Sequence, residues 1–109
     1  MKRHLRVVIE SPYAGDVETN VTYARRAMHF ALLAGAAPFA SHLLYTQCLD
    51  DKDPDERELG IAAGLSFVAD CDETWVFTDY GISEGMRRGM KAAVVAGRPI
   101  RKLFIGRNP

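Results

Sequence analysis

The chain has 109 residues, 48% hydrophobic and 26% charged, proportions that exclude disorder, a collagen-like repeat and a disulfide-dense scaffold. Lys and Arg number 14 and Asp and Glu number 14, giving a formal net charge of zero, which excludes the broad positive field that non-specific nucleic-acid binding requires. A chain this short makes one domain over 1–109 with a single modest core, and the weak charge repulsion of a neutral chain favours a homo-oligomer, a dimer or higher.

Leu5-Arg6-Val7-Val8-Ile9-Glu10 is a short β-branched run stopped by Ser11-Pro12-Tyr13-Ala14-Gly15, so it reads as a first strand ending in a tight loop. Asp16 or Asn20 caps a helix predicted over about Val21 to Ala34, with Val21, Ala24, Ala27, Met28, Ala31 and Leu32 facing inward. Ala37 to Ser41 reads as a second strand, and His42 to Gln47 leaves its end. Asp53-Pro54 is an N-cap followed by proline at the first helical position. The helix it opens is expected to reach about Ala69, with Leu59, Ala62, Ala63 and Phe67 inward. Thr74 to Thr78 is a third strand ending at Asp79-Tyr80-Gly81. A third helix follows from Ser83 to Gly97, burying Met86, Met90, Ala93 and Val94, and Pro99 to Ile105 is a fourth strand.

Strands alternating with helices predict a compact α/β fold of three layers, flavodoxin- or Rossmann-like, with a four-stranded parallel sheet in the order 2-1-3-4. Ligands of such sheets bind beyond the carboxyl ends of the strands, where the winding reverses. That point lies between the first and third strands and brings Ser11–Gly15 to Thr78–Gly85. Tyr13 offers a ring for stacking, and Gly15 lets backbone come close to a ligand. Ser83, Glu84, Gly85 and Met86 open a helix, whose unpaired N–H groups suit phosphate or ribose oxygens. The N–H groups of Gly85 and Met86 are expected to face the crevice. Asp79 suits a turn cap or sugar hydroxyls, and His42 and Tyr45 leave the neighbouring strand. The first loop carries neither a dinucleotide nor a Walker fingerprint, and no His or Cys grouping has metal-site spacing. No metal and no cofactor is expected. Cys48 and Cys71 read as free thiols. The basic start, Met1 to Arg6, has no apolar stretch behind it, and no run approaches the roughly 18 residues of a membrane span. A cytoplasmic protein without a membrane partner is therefore expected.

The stretches VVIESPYAG, AAPFASHLLY and CDETWVFTDYGISEGM together resemble the nucleoside 2-deoxyribosyltransferase-like superfamily, and most closely a small bacterial and phage branch of it. The likeness runs from about Leu5 to Phe104. It implies a nucleoside or nucleotide ligand, held by Ser11, Pro12, Tyr13, Gly15, His42, Tyr45, Asp79, Ser83, Glu84, Gly85 and Met86. The superfamily's enzymes carry a glutamate on the helix after the third strand, at a place that falls here on Gly89, which has no side chain. They also carry an aspartate on the second helix, where this chain reads Ala62-Ala63-Gly64-Leu65. Both departures favour binding without turnover, as a sensor or a phage-type sponge for a nucleotide signal. The alternative is an N-glycosidic hydrolase or deoxyribosyltransferase in which Glu84 is the catalytic acid. Gly89→Glu is expected to fit the helix and to restore a carboxylate to the crevice.

Overall fold

Val7, Val8 and Ile9 are all buried, the two-faced burial that a continuous apolar run adopts in the middle of a parallel sheet. They belong to β1 (Leu5–Glu10) in a computed structural model that describes residues 3–107. β2 (Ala36–Phe39) and β3 (Glu73–Phe77) flank it, and β4 (Ile100–Leu103) lies beyond β3. The order is β2-β1-β3-β4. Every pairing is parallel, with Leu5 opposite Ala36, Ile9 opposite Trp75 and Phe77 opposite Leu103. The expected α/β fold and strand order are both present.

Helix α1 (Val17–Leu33) covers one face of the sheet. Its Tyr23, Ala27 and Ala31 pack on Val7, Ile9, Trp75 and Phe77. On the other face Val8 meets Ala93, Val68 and Cys71, contributed by α4 (Glu84–Ala96), by a 3₁₀ turn, Val68–Asp70, and by the residue that follows the turn. The short helix α2 (Ser41–Leu44) and α3 (Pro54–Leu65) complete that side. Cys48 and Cys71 are free thiols. Among the described residues no helix is long and apolar enough to cross a membrane.

Four local expectations need correction. Helix α1 begins at Val17 because Asp16 is the cap, accepting from the Thr19 N–H (3.2 Å) and Thr19 hydroxyl (2.8 Å). Its inner stripe runs through Asn20 and Tyr23, leaving Leu32 58% exposed. Helix α3 stops at Leu65, and its close-packed face is Gly60 and Gly64, not Leu59. A Cβ on Gly64 would stand 2.5 Å from the Ser41 hydroxyl, and one on Gly60 would stand 3.1 Å from Leu49. Gly64 lets α3 approach α2 and Gly60 lets it approach the segment after α2, where larger residues would hold it off, and Leu59 is turned out, 63% exposed. In α4 the buried residues are Met86, Gly89 and Ala93, while Val94 is 69% exposed. The second strand, expected to reach Ser41, ends at Phe39, and Ser41 opens α2, which a 3₁₀ turn, Tyr45–Gln47, follows.

Candidate functional site

Beyond the carboxyl end of β1 lies a cavity of about 310 Å³. Glu10, Ser11 and Tyr13 come from the end of β1 and its loop. Ser41, His42 and Tyr45 come from α2 and the turn after it. Gly60, Ile61 and Gly64 come from α3, and Ser83 to Met86 from the start of α4. Asn20 holds the first loop in place, its amide donating to the Tyr13 carbonyl (2.9 Å) and the Ala14 carbonyl (3.1 Å). Ser83 caps α4, its hydroxyl accepting the Met86 N–H at 3.3 Å. That bond takes up the Met86 amide, which sequence reasoning had expected to face the ligand.

Eight of the site residues expected from sequence line this cavity: Ser11, Tyr13, His42, Tyr45, Ser83, Glu84, Gly85 and Met86. Pro12 and Gly15 do not. Pro12 is buried behind the loop, and Gly15 shapes it at φ +99°. Asp79 also lies outside. Its carboxylate accepts from the Tyr23 hydroxyl (2.6 Å), the Ile105 N–H (2.9 Å) and the Gly106 N–H (2.7 Å). These bonds outweigh the cost of desolvation and hold its pKa below the usual carboxylate value. Asp79 thus ties α1 and the end of β3 to the chain leaving β4. The cavity takes no lining residue from β3 or the turn after it and lies toward α2, α3 and the start of α4.

The Ser11 hydroxyl and His42 Nε2 are hydrogen bonded at 2.7 Å. Burial lowers the His42 pKa to about 4, so the imidazole is neutral at pH 7. No carboxylate is hydrogen bonded to its other ring nitrogen among the described residues, so the pair is not a catalytic triad. At the rim Arg57 faces Asp51 at 4.0 Å, and Glu84 is exposed at the first turn of α4.

Among the lining residues that the sequence reading does not single out is Glu10. Its carboxyl lies in the cavity wall against α4, and burial raises its pKa to about 8. A Cβ built on Gly89 would overlap this carboxyl group. The expected easy fit of Gly89→Glu is therefore corrected: the place is already filled, and any side chain at 89 must first displace Glu10. The available signal was a lone acid at the carboxyl end of an apolar strand, where parallel sheets present groups to ligands.

Residues 5–103 match the domain of unknown function DUF7768. The chain belongs to that family. No curated protein matches this DUF7768 chain in sequence. Among solved structures, a 2-deoxyribosyltransferase from the psychrotolerant bacterium Bacillus psychrosaccharolyticus superposes with a TM-score of 0.71 at 13% identity, over 95% of this chain and 75% of that one. The CMP N-glycosidase BcmB of Clostridium botulinum superposes with a TM-score of 0.52 at 18% identity, over 91% of this chain and 68% of that one. At these identities the likeness establishes the fold alone, the α/β architecture that this chain shares with both structures.

Proposed function

We propose that the DUF7768 cavity binds a nucleoside- or nucleotide-type ligand. The observation that carries this reading is the convergence of a Tyr13 ring, a neutral Ser11–His42 pair and the α4 N-terminus around one concave site. Those groups suit a base, sugar hydroxyls and a phosphate or ribose oxygen in turn. The two structural neighbours support it, because each is described as acting on molecules of this class. Ser11, Tyr13, His42, Tyr45, Ser83, Glu84 and Gly85 are the contacts proposed, with Met86 packed beneath them.

Gly89 alone favours binding without turnover. The Glu10 carboxyl standing over Gly89 favours the second reading, an N-glycosidic hydrolase or transferase. Calorimetry with 2′-deoxynucleosides, ribonucleosides and their 5′-monophosphates tests the binding that both readings share. At least one member is expected to bind, and Tyr13→Ala to weaken it by about 1–3 kcal/mol, the usual contribution of base stacking on an aromatic ring. An unchanged affinity removes Tyr13 from the site, and failure of the whole panel to bind rejects the proposal.

A further inference from the structure

A carboxyl group kept in a cavity wall without a partner is costly, and such groups are rare unless they serve a purpose. Glu10 is such a group. Burial raises its pKa, and among the described residues no hydrogen bond or ion pair is made to it. It needs its space to be cleared, and Gly89, in the middle of α4, clears it. Glycine inside a helix is unfavourable by several tenths of a kcal/mol or more relative to alanine. Position 89 therefore sacrifices helix stability, and the visible return is room for the Glu10 carboxyl.

We propose that Glu10 is the reacting acid of this cavity, protonating the departing base of a bound nucleoside or nucleotide as its N-glycosidic bond breaks. The proposal rests on the nucleoside reading of the cavity. The C1′–N bond breaks and its electron pair stays on the base, whose ring nitrogen takes the Glu10 proton. Water adds to C1′ and returns one of its protons to the Glu10 carboxylate. The products are free base and free sugar, or sugar phosphate from a nucleotide, and the acid is regenerated.

The other groups around the cavity leave this role to Glu10. His42 is neutral at pH 7 and carries no extra proton to give. Glu84 stands exposed at the mouth. Asp51, Glu56 and Arg57 line the rim on the α3 side, with Arg57 facing Asp51 and Glu56 accepting the Asp50 N–H at 2.9 Å. Tyr13 and Tyr45 are the remaining titratable groups of the wall. Glu10 alone combines a position inside the wall with a proton still bound at neutral pH, the condition for general acid catalysis.

The test measures free base by chromatography, and ligand affinity by calorimetry, for wild type, Glu10→Gln and Gly89→Ala with the same nucleoside and 5′-monophosphate panel. Wild type is expected to release base. Glu10→Gln is expected to lose about 10²–10⁴-fold in kcat, the usual worth of a positioned acid, with affinity within about threefold. Gly89→Ala, whose methyl group displaces the carboxyl, is expected to lose rate in the same direction. Wild-type kcat/KM should fall as pH rises through about 8, the pKa of the ligand-free acid, a readout that stands even if Glu10→Gln does not fold. Binding without base release, an undiminished rate in Glu10→Gln, or a wild-type kcat/KM flat from pH 5 to 9 overturns the proposal and leaves the binding reading intact. If no panel member binds, the binding reading itself has failed.

Discussion

Replacing Glu10 with glutamine should make the protein more stable as pH rises, and the size of the gain follows from where the carboxyl sits. Its pKa moves from 4.5 to about 8 on folding because burial penalises the anion. Between those values the unfolded chain has released the proton and the folded chain still holds it. Unfolding therefore becomes easier with pH, by about 1.4 kcal/mol per pH unit. This stability is complete below pH 4.5 and is lost as pH rises through about 8. His42 works in the opposite sense, because burial lowers its pKa from 6.5 to about 4. Its contribution is present above 6.5 and is lost as pH falls through about 4. The two slopes cancel between about pH 4.5 and 6.5, so wild type should show a plateau there and a decline from 6.5 to 8. Glu10→Gln removes the declining limb. Urea denaturation at a series of pH values should show the variant gaining about 3 kcal/mol on wild type between pH 5 and 7.5. Comparing the two proteins across pH cancels any fixed cost of the amide. A difference independent of pH would refute the reasoning, since it would mean that Glu10 ionises as freely in the folded chain as in the unfolded one.

Asp79→Ala should lower stability by about 2–4 kcal/mol, because three donors lose a charged acceptor; a loss below about 1 kcal/mol in thermal melts would contradict its part in tying β3 to β4. The same variant should leave ligand affinity unchanged in calorimetry, since Asp79 lies outside the cavity. Gly97 ends α4 in the left-handed region at φ +70°, so Gly97→Ala should cost about 1 kcal/mol in urea denaturation, and no loss would show that the helix ends elsewhere in solution.

The sheet was readable in the sequence because β1, β3 and β4 are short runs followed within a few residues by proline or glycine, and α1, α3 and α4 each open on a side-chain cap. The alternation left few topologies to choose from. Helix faces were less readable. Counting hydrophobic residues puts Leu59 and Val94 inside, but the close approach of α3 to α2 and to the segment after it selects Gly64 and Gly60, and the Glu10 carboxyl selects Gly89. Such contacts are set by backbone proximity between distant elements, which a hydrophobic period does not record. The first loop and the start of α4 were legible as site segments from their unusual sequence at the right strand ends. Asp79 had the right chemistry for sugar hydroxyls, yet the chain leaving β4 supplies its two backbone donors first. Glu10 is not legible as a cavity residue in the sequence, because an acid at a strand end looks like an ordinary polar terminus until α4 is folded across it.

The central claim, that the cavity beyond β1 is a nucleoside or nucleotide site, is tested most directly by following backbone amide shifts of ¹⁵N-labelled protein during titration with the nucleoside and 5′-monophosphate panel. The account expects saturable shifts concentrated at Ser11, Tyr13, His42, Tyr45, Glu84 and Gly85, the residues brought together at the ends of β1, α2 and the start of α4. No shifts with any member of the panel, or shifts centred instead on the polar depression around Thr22, Tyr80 and Arg107, would contradict it.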